Sequence, residues 1–194
     1  MNRPVTRPHR AEGPSAVERE LVGRFVRGER EAFHLLIRPH VAALRALARR
    51  AVGDPHTADD LVQEALIRAA GGLATFRGEA SLRSWLFRIV VRLAAEPGRL
   101  RRPDRAGPLE FEVPDTVGPS PEAAALGREL RDRLEEALER LPVRQRTALH
   151  LRAAEGLDYR RIAQVLDCAP GAARMLVLEA RKKVAARLGS YLEP

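Results

Sequence analysis

The chain has one cysteine, Cys168, so no internal disulfide forms and a cysteine-rich zinc site is excluded. Its five histidines, at 9, 34, 40, 56 and 150, show neither an HExxH nor a finger spacing, which argues against a structural metal. Aromatic residues make up only 4% of 194 residues, too few for a β-sandwich core or for the stacking platforms that hold single strands generally. No apolar run is long enough to span a bilayer, and the basic start MNRPVTRPHR precedes no signal core. The expectation is a protein of the cytoplasm without membrane insertion. A nucleophile–base pair and a phosphate-cradling Gly-rich loop are both missing, which points away from catalysis and requires no cofactor.

What is abundant is Ala, Leu and Arg. Apolar residues reach 45%, and the formal net charge is +8, with Arg far more common than Lys. This composition suits helices that bury an aliphatic core while presenting cations to a phosphate-rich partner, although genome bias or solubility produces the same balance.

Periodicity divides the chain in four. A basic tail covers 1–15. A first helical domain covers 16–96, with helices expected over 15–27, from 29 or 30 onward with a kink or break at Pro39, from 54, and over 79–95. Asp54 followed by Pro55 marks a helix start, because the carboxylate accepts from free amides and proline suits the first position. The helix that follows spaces Ala58, Leu61, Val62, Ala65 and Ala69 on one face, and Gly71-Gly72 is expected to stop it. In the last helix of this domain, Leu82, Trp85 or Leu86, Ile89 and Leu93 face inward.

Residues 97–121 carry six prolines and the cluster Arg99, Arg101, Arg102 and Arg105, and read as an extendable linker. A second helical domain spans 122–190. Its first helix carries the stripe Leu126, Leu130, Leu134, Ala137 and Leu141. Helices follow over 143–154, 159–166 with Asp158 as cap, and 171–188. Two short helices joined by a tight turn after supporting helices form a helix-turn-helix plan, a spacing that small helical bundles also produce. The fold class is therefore all-α: two small helical domains joined by a flexible linker, the second a helix-turn-helix.

Four stretches say more than periodicity: ELVGRFVRGEREAFHLLI at 20–37, DPHTADDLVQEALIRA at 54–69, FRGEASLRSWLFRI at 76–89 and LPVRQRTALHLRAAEGLDYRRIAQVL at 141–166. In this order and spacing they resemble the RNA polymerase sigma factors of the extracytoplasmic-function type, over about residues 21–188. The resemblance implies that the helix of 54–69 docks on bacterial core RNA polymerase through Asp60, Leu61, Val62, Gln63 and Glu64. It implies capture of the unwound non-template strand of the minus-ten promoter element by Phe76, Arg77, Arg83, Ser84, Trp85, Arg88 and Arg92, with Trp85 read as a core residue or one of dual use. It makes 159–166 a supporting helix and 171–187 the recognition helix for the minus-35 element, with Arg174, Arg181 and Lys182 reaching phosphate or base edges. Family members are often held by an anti-sigma factor, although no residue here specifies one.

The chain also departs from the family. Ala169 and Ala172 stand where Ser or Thr flank the glycine equivalent to Gly171, Leu176 stands in place of a basic residue, and Met175 and Leu178 make the reading surface apolar. A duplex-binding helix-turn-helix regulator that does not join polymerase, and a sigma-like adaptor whose second domain binds protein, are the alternative readings.

Overall fold

The computed structural model describes residues 13–96 and 121–192, with side chains described for 13–96 and 127–189. The expected basic tail, up to residue 12, lies outside the described residues. So do residues 97–120 of the expected linker, including its arginine cluster, and the side chain of Leu126. The described residues are all-helical: α1 Ala16–Val26, α2 Arg30–Ile37, α3 Val41–Val52, α4 Pro55–Gly72, α5 Leu82–Ala94, α6 Pro121–Glu139, α7 Val143–Ala153, α8 Tyr159–Leu166 and α9 Pro170–Leu192.

Local chemistry explains most boundaries. Ser15 caps α1 in a reciprocal box with Glu18, each side chain satisfying the other's backbone amide. Pro39 sits in a 3-10 turn over Arg38–His40 that separates α2 from α3, so the expected break occurs there. Asp54 accepts from the Thr57 amide at 2.7 Å, with Pro55 in the first turn, and Asp158 accepts from the Arg161 amide at 2.9 Å.

Two boundaries differ from expectation. Gly71-Gly72 does not stop α4, which includes both glycines and runs into a 3-10 turn, Leu73–Thr75, anchored by fully buried Leu73. Gly72 answers a packing need instead: a Cβ there would lie 3.4 Å from the Trp85 ring. The α5 helix starts at Leu82 rather than at 79, because Ser81 takes the capping role, accepting from the Ser84 amide at 3.2 Å.

Leu36, Leu44, Leu47, Leu61, Leu86 and Phe87 are among the largest side chains fully or almost fully buried in the first helical group. Leu151, Ile162, Ala173 and Val177 are their counterparts in the second group. Within α5, Phe87 and Val90 carry the core, whereas Ile89 is only partly buried. Leu130, expected in the inward stripe of α6, is 41% exposed, because that stripe meets its neighbours only near its end, at Ala137 and Leu141.

The two helical groups also meet each other. Helix α3 packs on α7 and α5 on α8, so that their buried residues form one continuous cluster. A two-pronged ion pair seals this seam: Arg50 Nη1 and Nη2 donate to Glu135 Oε2 and Oε1 at 2.7 and 2.9 Å. The Arg146 Nε donates to the Arg50 carbonyl oxygen at 2.6 Å. Burial, reinforced by the charge of Arg50 and opposed by Glu139, lowers the Arg146 pKa from its ordinary value.

Candidate nucleic-acid interface

Helix α4 rolls its apolar face inward, and this sorts the five residues expected to dock on a partner. Leu61 and Val62 are 0% and 4% exposed. Their side chains therefore hold α4 against the core, as period-3.6 packing demands. Asp60 and Gln63 are exposed and Glu64 is partly so. Glu64 accepts from Arg68 Nη2 at 2.6 Å, and Arg68 Nη1 reaches Glu96 at 2.8 Å. The hydrogen bond from Arg68 to Glu96, helped by Glu64, raises the arginine pKa.

The segment after α4 forms a cleft of 400 Å³ walled by Phe76, Arg77, Gly78, Trp85 and Arg88. Phe76 and Trp85 stand with ring centroids 5.2 Å apart, inclined at 46°. Both are half-buried, packed on the core at one side and lining the cleft on the other. Gly78 holds a left-handed φ of 72°, and a Cβ there would come within 3.0 Å of Pro14. That glycine is required both by its backbone angle and by the close approach of the chain leading into α1.

The arginines of this segment have unequal freedom. Arg77 is exposed. Arg88 lines the cleft with a buried Nε that has no hydrogen-bond partner among the described residues, an unsatisfied donor beside an open space. Arg83 lies over the Phe87 ring at 5.5 Å and is ion-paired with Glu155 from the second helical group. Arg92 is mostly exposed, 3.7 Å from Asp167. Ser84 is 4% exposed, its hydroxyl accepts from Ser81 at 3.0 Å at the start of α5, and it forms part of the cleft wall.

Gln164, on α8, completes one side of the same cleft. Sequence reasoning missed both Gln164 and Glu155, since neither belongs to a motif of the first helical group and their approach follows from packing of α8 on α5.

Helices α8 and α9 are joined through Asp167, at a left-handed φ of 52°. Ala163 is 3% exposed at their crossing. In α9, Ala173, Val177 and Ala180 face inward with at most 1% exposure, while Val184 is partly covered. Arg174, Arg181 and Lys182 are all exposed, Lys182 opposite that face and the two arginines on its flank. Among the described residues no group of His, Cys, Asp or Glu could hold a metal, and no helix is long and apolar enough to cross a membrane.

These parts define a class: an all-helical protein with an aromatic, arginine-edged cleft in one half and a helix-turn-helix in the other. Comparison with known proteins makes the class specific. The models for sigma-70 region 2 and sigma-70 region 4 match residues 36–105 and 131–184. The RNA polymerase sigma-H factor of Pseudomonas aeruginosa is 36% identical over 176 residues, covering 86% of this chain and 91% of that protein. The ECF RNA polymerase sigma-E factor of Escherichia coli K12 is 34% identical over 175 residues, covering 84% and 90%. Among solved structures, CnrH in complex with the cytosolic domain of CnrY has a TM-score of 0.65 at 28% identity, with 90% of this chain and 99% of that chain covered. RpoE from Bartonella quintana, in complex with the anti-sigma factor NepR, shares the fold with a TM-score of 0.59 at 22% identity, covering 84% and 98%.

The chain belongs to the sigma-70 family, as a sigma factor of the extracytoplasmic-function type. It is a transcription factor rather than an enzyme. It directs core RNA polymerase to promoters, and phosphodiester chemistry belongs to the polymerase.

Proposed function

We propose that the cleft between Phe76 and Trp85 receives a base of the unwound non-template strand at the minus-ten element, while α9 enters the major groove at the minus-35 element. The observation that carries this reading is the pairing of two half-buried rings with the unpartnered Arg88 donor in one 400 Å³ space. Rings accept a base only once it has left the duplex stack, and arginines neutralise the phosphates that follow it. Binding the melted strand more tightly than the duplex shifts the equilibrium toward the open promoter without any covalent step. Arg77 and Arg88 serve at the cleft, and Arg83 and Arg92 join them once their partners Glu155 and Asp167 withdraw.

Core polymerase docks on the exposed part of α4, at Asp60, Gln63 and Glu64. An acidic patch on a chain of net charge +8 repels phosphate and suits a basic protein surface. Residues 16–96 then serve polymerase and minus-ten binding, residues 122–190 serve minus-35 binding, and 97–121 joins them. The protein works where core polymerase is, in the cytoplasm. Control by an anti-sigma factor accords with the CnrH and RpoE structures, each of which holds a partner.

The test is reconstituted transcription with bacterial core polymerase and a promoter library, together with co-elution of the chain with core. Promoter-dependent transcripts and co-elution are expected. Absence of both overturns the reading.

A further inference from the structure

The outward face of α9 carries large apolar side chains where a groove-reading helix normally presents polar ones. Met175 and Leu178 are 49% and 55% exposed. Single exposed hydrophobes are ordinary on protein surfaces, so exposure by itself carries little weight. Their company does. At 100° per residue, Met175 and Lys182 lie opposite Ala173, Val177 and Ala180, Leu178 lies next to them, and Arg174 and Arg181 follow on its far side, so that the five share one arc of about 120°. The carboxylate in this part of the helix, Glu179, is exposed beside this arc but tied to α7: its Oε2 accepts from Gln145 Nε2 at 2.6 Å. Lys183 is drawn the same way, donating to Gln145 Oε1 at 2.9 Å. The arc itself carries three cations and two large apolar groups, over residues 174–182 of a helix that begins at Pro170, with Glu179 exposed beside it.

Such a face suits a polyanion that also displays an apolar group. In the major groove, that group is the 5-methyl of thymine, the one apolar feature in the pattern of base edges. A Leu or Met side chain gains from covering the methyl, whereas against the cytosine amino group it leaves a donor without a partner. The flexible thioether of Met175 can follow a methyl at more than one depth.

We propose that Met175 and Leu178 are specificity-determining residues that select thymine in the upstream promoter element through its methyl group, while Arg174, Arg181 and Lys182 hold the surrounding phosphates and base edges. This rests on the reading of α9 as the recognition helix.

The test uses the full chain bound to core polymerase. Duplexes enriched from a randomised library are resynthesised with deoxyuridine in place of thymidine, one upstream position at a time, which removes only the methyl. Loss of each contacted methyl is expected to weaken binding about fourfold. Met175→Ala and Leu178→Ala should each weaken binding to the thymidine duplex and abolish the deoxyuridine effect at one position.

Equal affinity of thymidine and deoxyuridine duplexes for the unaltered chain overturns the proposal. So does a deoxyuridine effect that persists in the doubly substituted chain, or alanine variants that bind DNA normally but lose a protein partner. Failure to enrich any duplex removes the recognition-helix reading too, and so is distinguishable from failure of the methyl assignment alone.

Discussion

Replacing Glu135 with Ala leaves Arg50 buried at the seam between the helical groups without its counter-charge. Arg50 is 8% exposed and Glu135's side chain 17%, and two charge-assisted hydrogen bonds join them. Breaking a buried pair from one side costs about 3–5 kcal/mol; the residual exposure of Glu135 argues for the lower end, roughly 3 kcal/mol. The neighbouring Arg146 adds to the strain, since its pKa is already lowered by burial and by Arg50. The cheapest relief is separation of α3 from α7, which rehydrates Arg50 while leaving each helical group intact. A shift of that size changes the closed-to-open ratio by roughly 150-fold. Separation also takes Glu155 off Arg83 and Gln164 off the rim of the cleft. The Glu135→Ala chain should therefore show a larger radius of gyration in X-ray scattering with unchanged helicity. It should also bind single-stranded minus-ten DNA more tightly, read by quenching of Trp85, the single tryptophan of the chain. Replacing both partners, as Arg50→Met with Glu135→Leu, should restore the compact state, since no unpaired charge is then buried. An unchanged radius and unchanged strand affinity, with only a lower melting temperature, would refute the reasoning by making the pair a structural strut.

Reversing both charges at Asp60→Lys and Glu64→Lys should weaken core polymerase binding by about one to two orders of magnitude while circular dichroism is unaltered; unchanged affinity would sink the docking assignment. His40 gives a pH dependence. Burial lowers its pKa from 6.5, Glu18 opposes the shift, and the charge of Arg83 adds to it. Because the folded chain holds His40 neutral while the unfolded chain takes up a proton near 6.5, its contribution is fully present above that pH. It is lost progressively as pH falls toward the folded value. Urea midpoints should therefore drop as pH falls below about 6.5, and His40→Gln should flatten that part of the profile; the same slope in both chains would exclude His40 as its source.

The elements most legible in the sequence are those whose signals are local. Asp54-Pro55, Asp158 and Pro39 each act within a few residues of themselves, through a side-chain acceptor or a missing amide, and the boundaries appear where those groups place them. Gly71-Gly72 was illegible in the same terms because its role is not local. The space beside Gly72 belongs to Trp85, thirteen residues away, on another helix. A glycine pair can therefore mean close packing as readily as a stop, and only the tertiary arrangement distinguishes the two. The start of α5 shows competing local signals: both Glu79 and Ser81 suit a helix beginning, and the serine's bond to the Ser84 amide decides it.

The candidate site divides along the same line. Phe76, Arg77, Trp85 and Arg88 lie within one short stretch of sequence and converge on one cleft. The five consecutive residues of 60–64, by contrast, are distributed around a helix, so one run of sequence cannot all face one partner. Leu61 and Val62 continue the buried spacing of Ala58, Ala65 and Ala69, and that periodicity already separated them from Asp60, Gln63 and Glu64. The seam between the helical groups left a fainter trace. Arg50 follows Leu47 by three residues and precedes Ala51, within the buried register of α3, where an arginine needs a partner. Sequence could signal that a partner was needed there. It could not name Glu135, which lies 85 residues away. A chain of this kind therefore advertises its candidate binding groups locally, while the contacts that Glu155 and Gln164 make with them are written only in the packing of one half on the other.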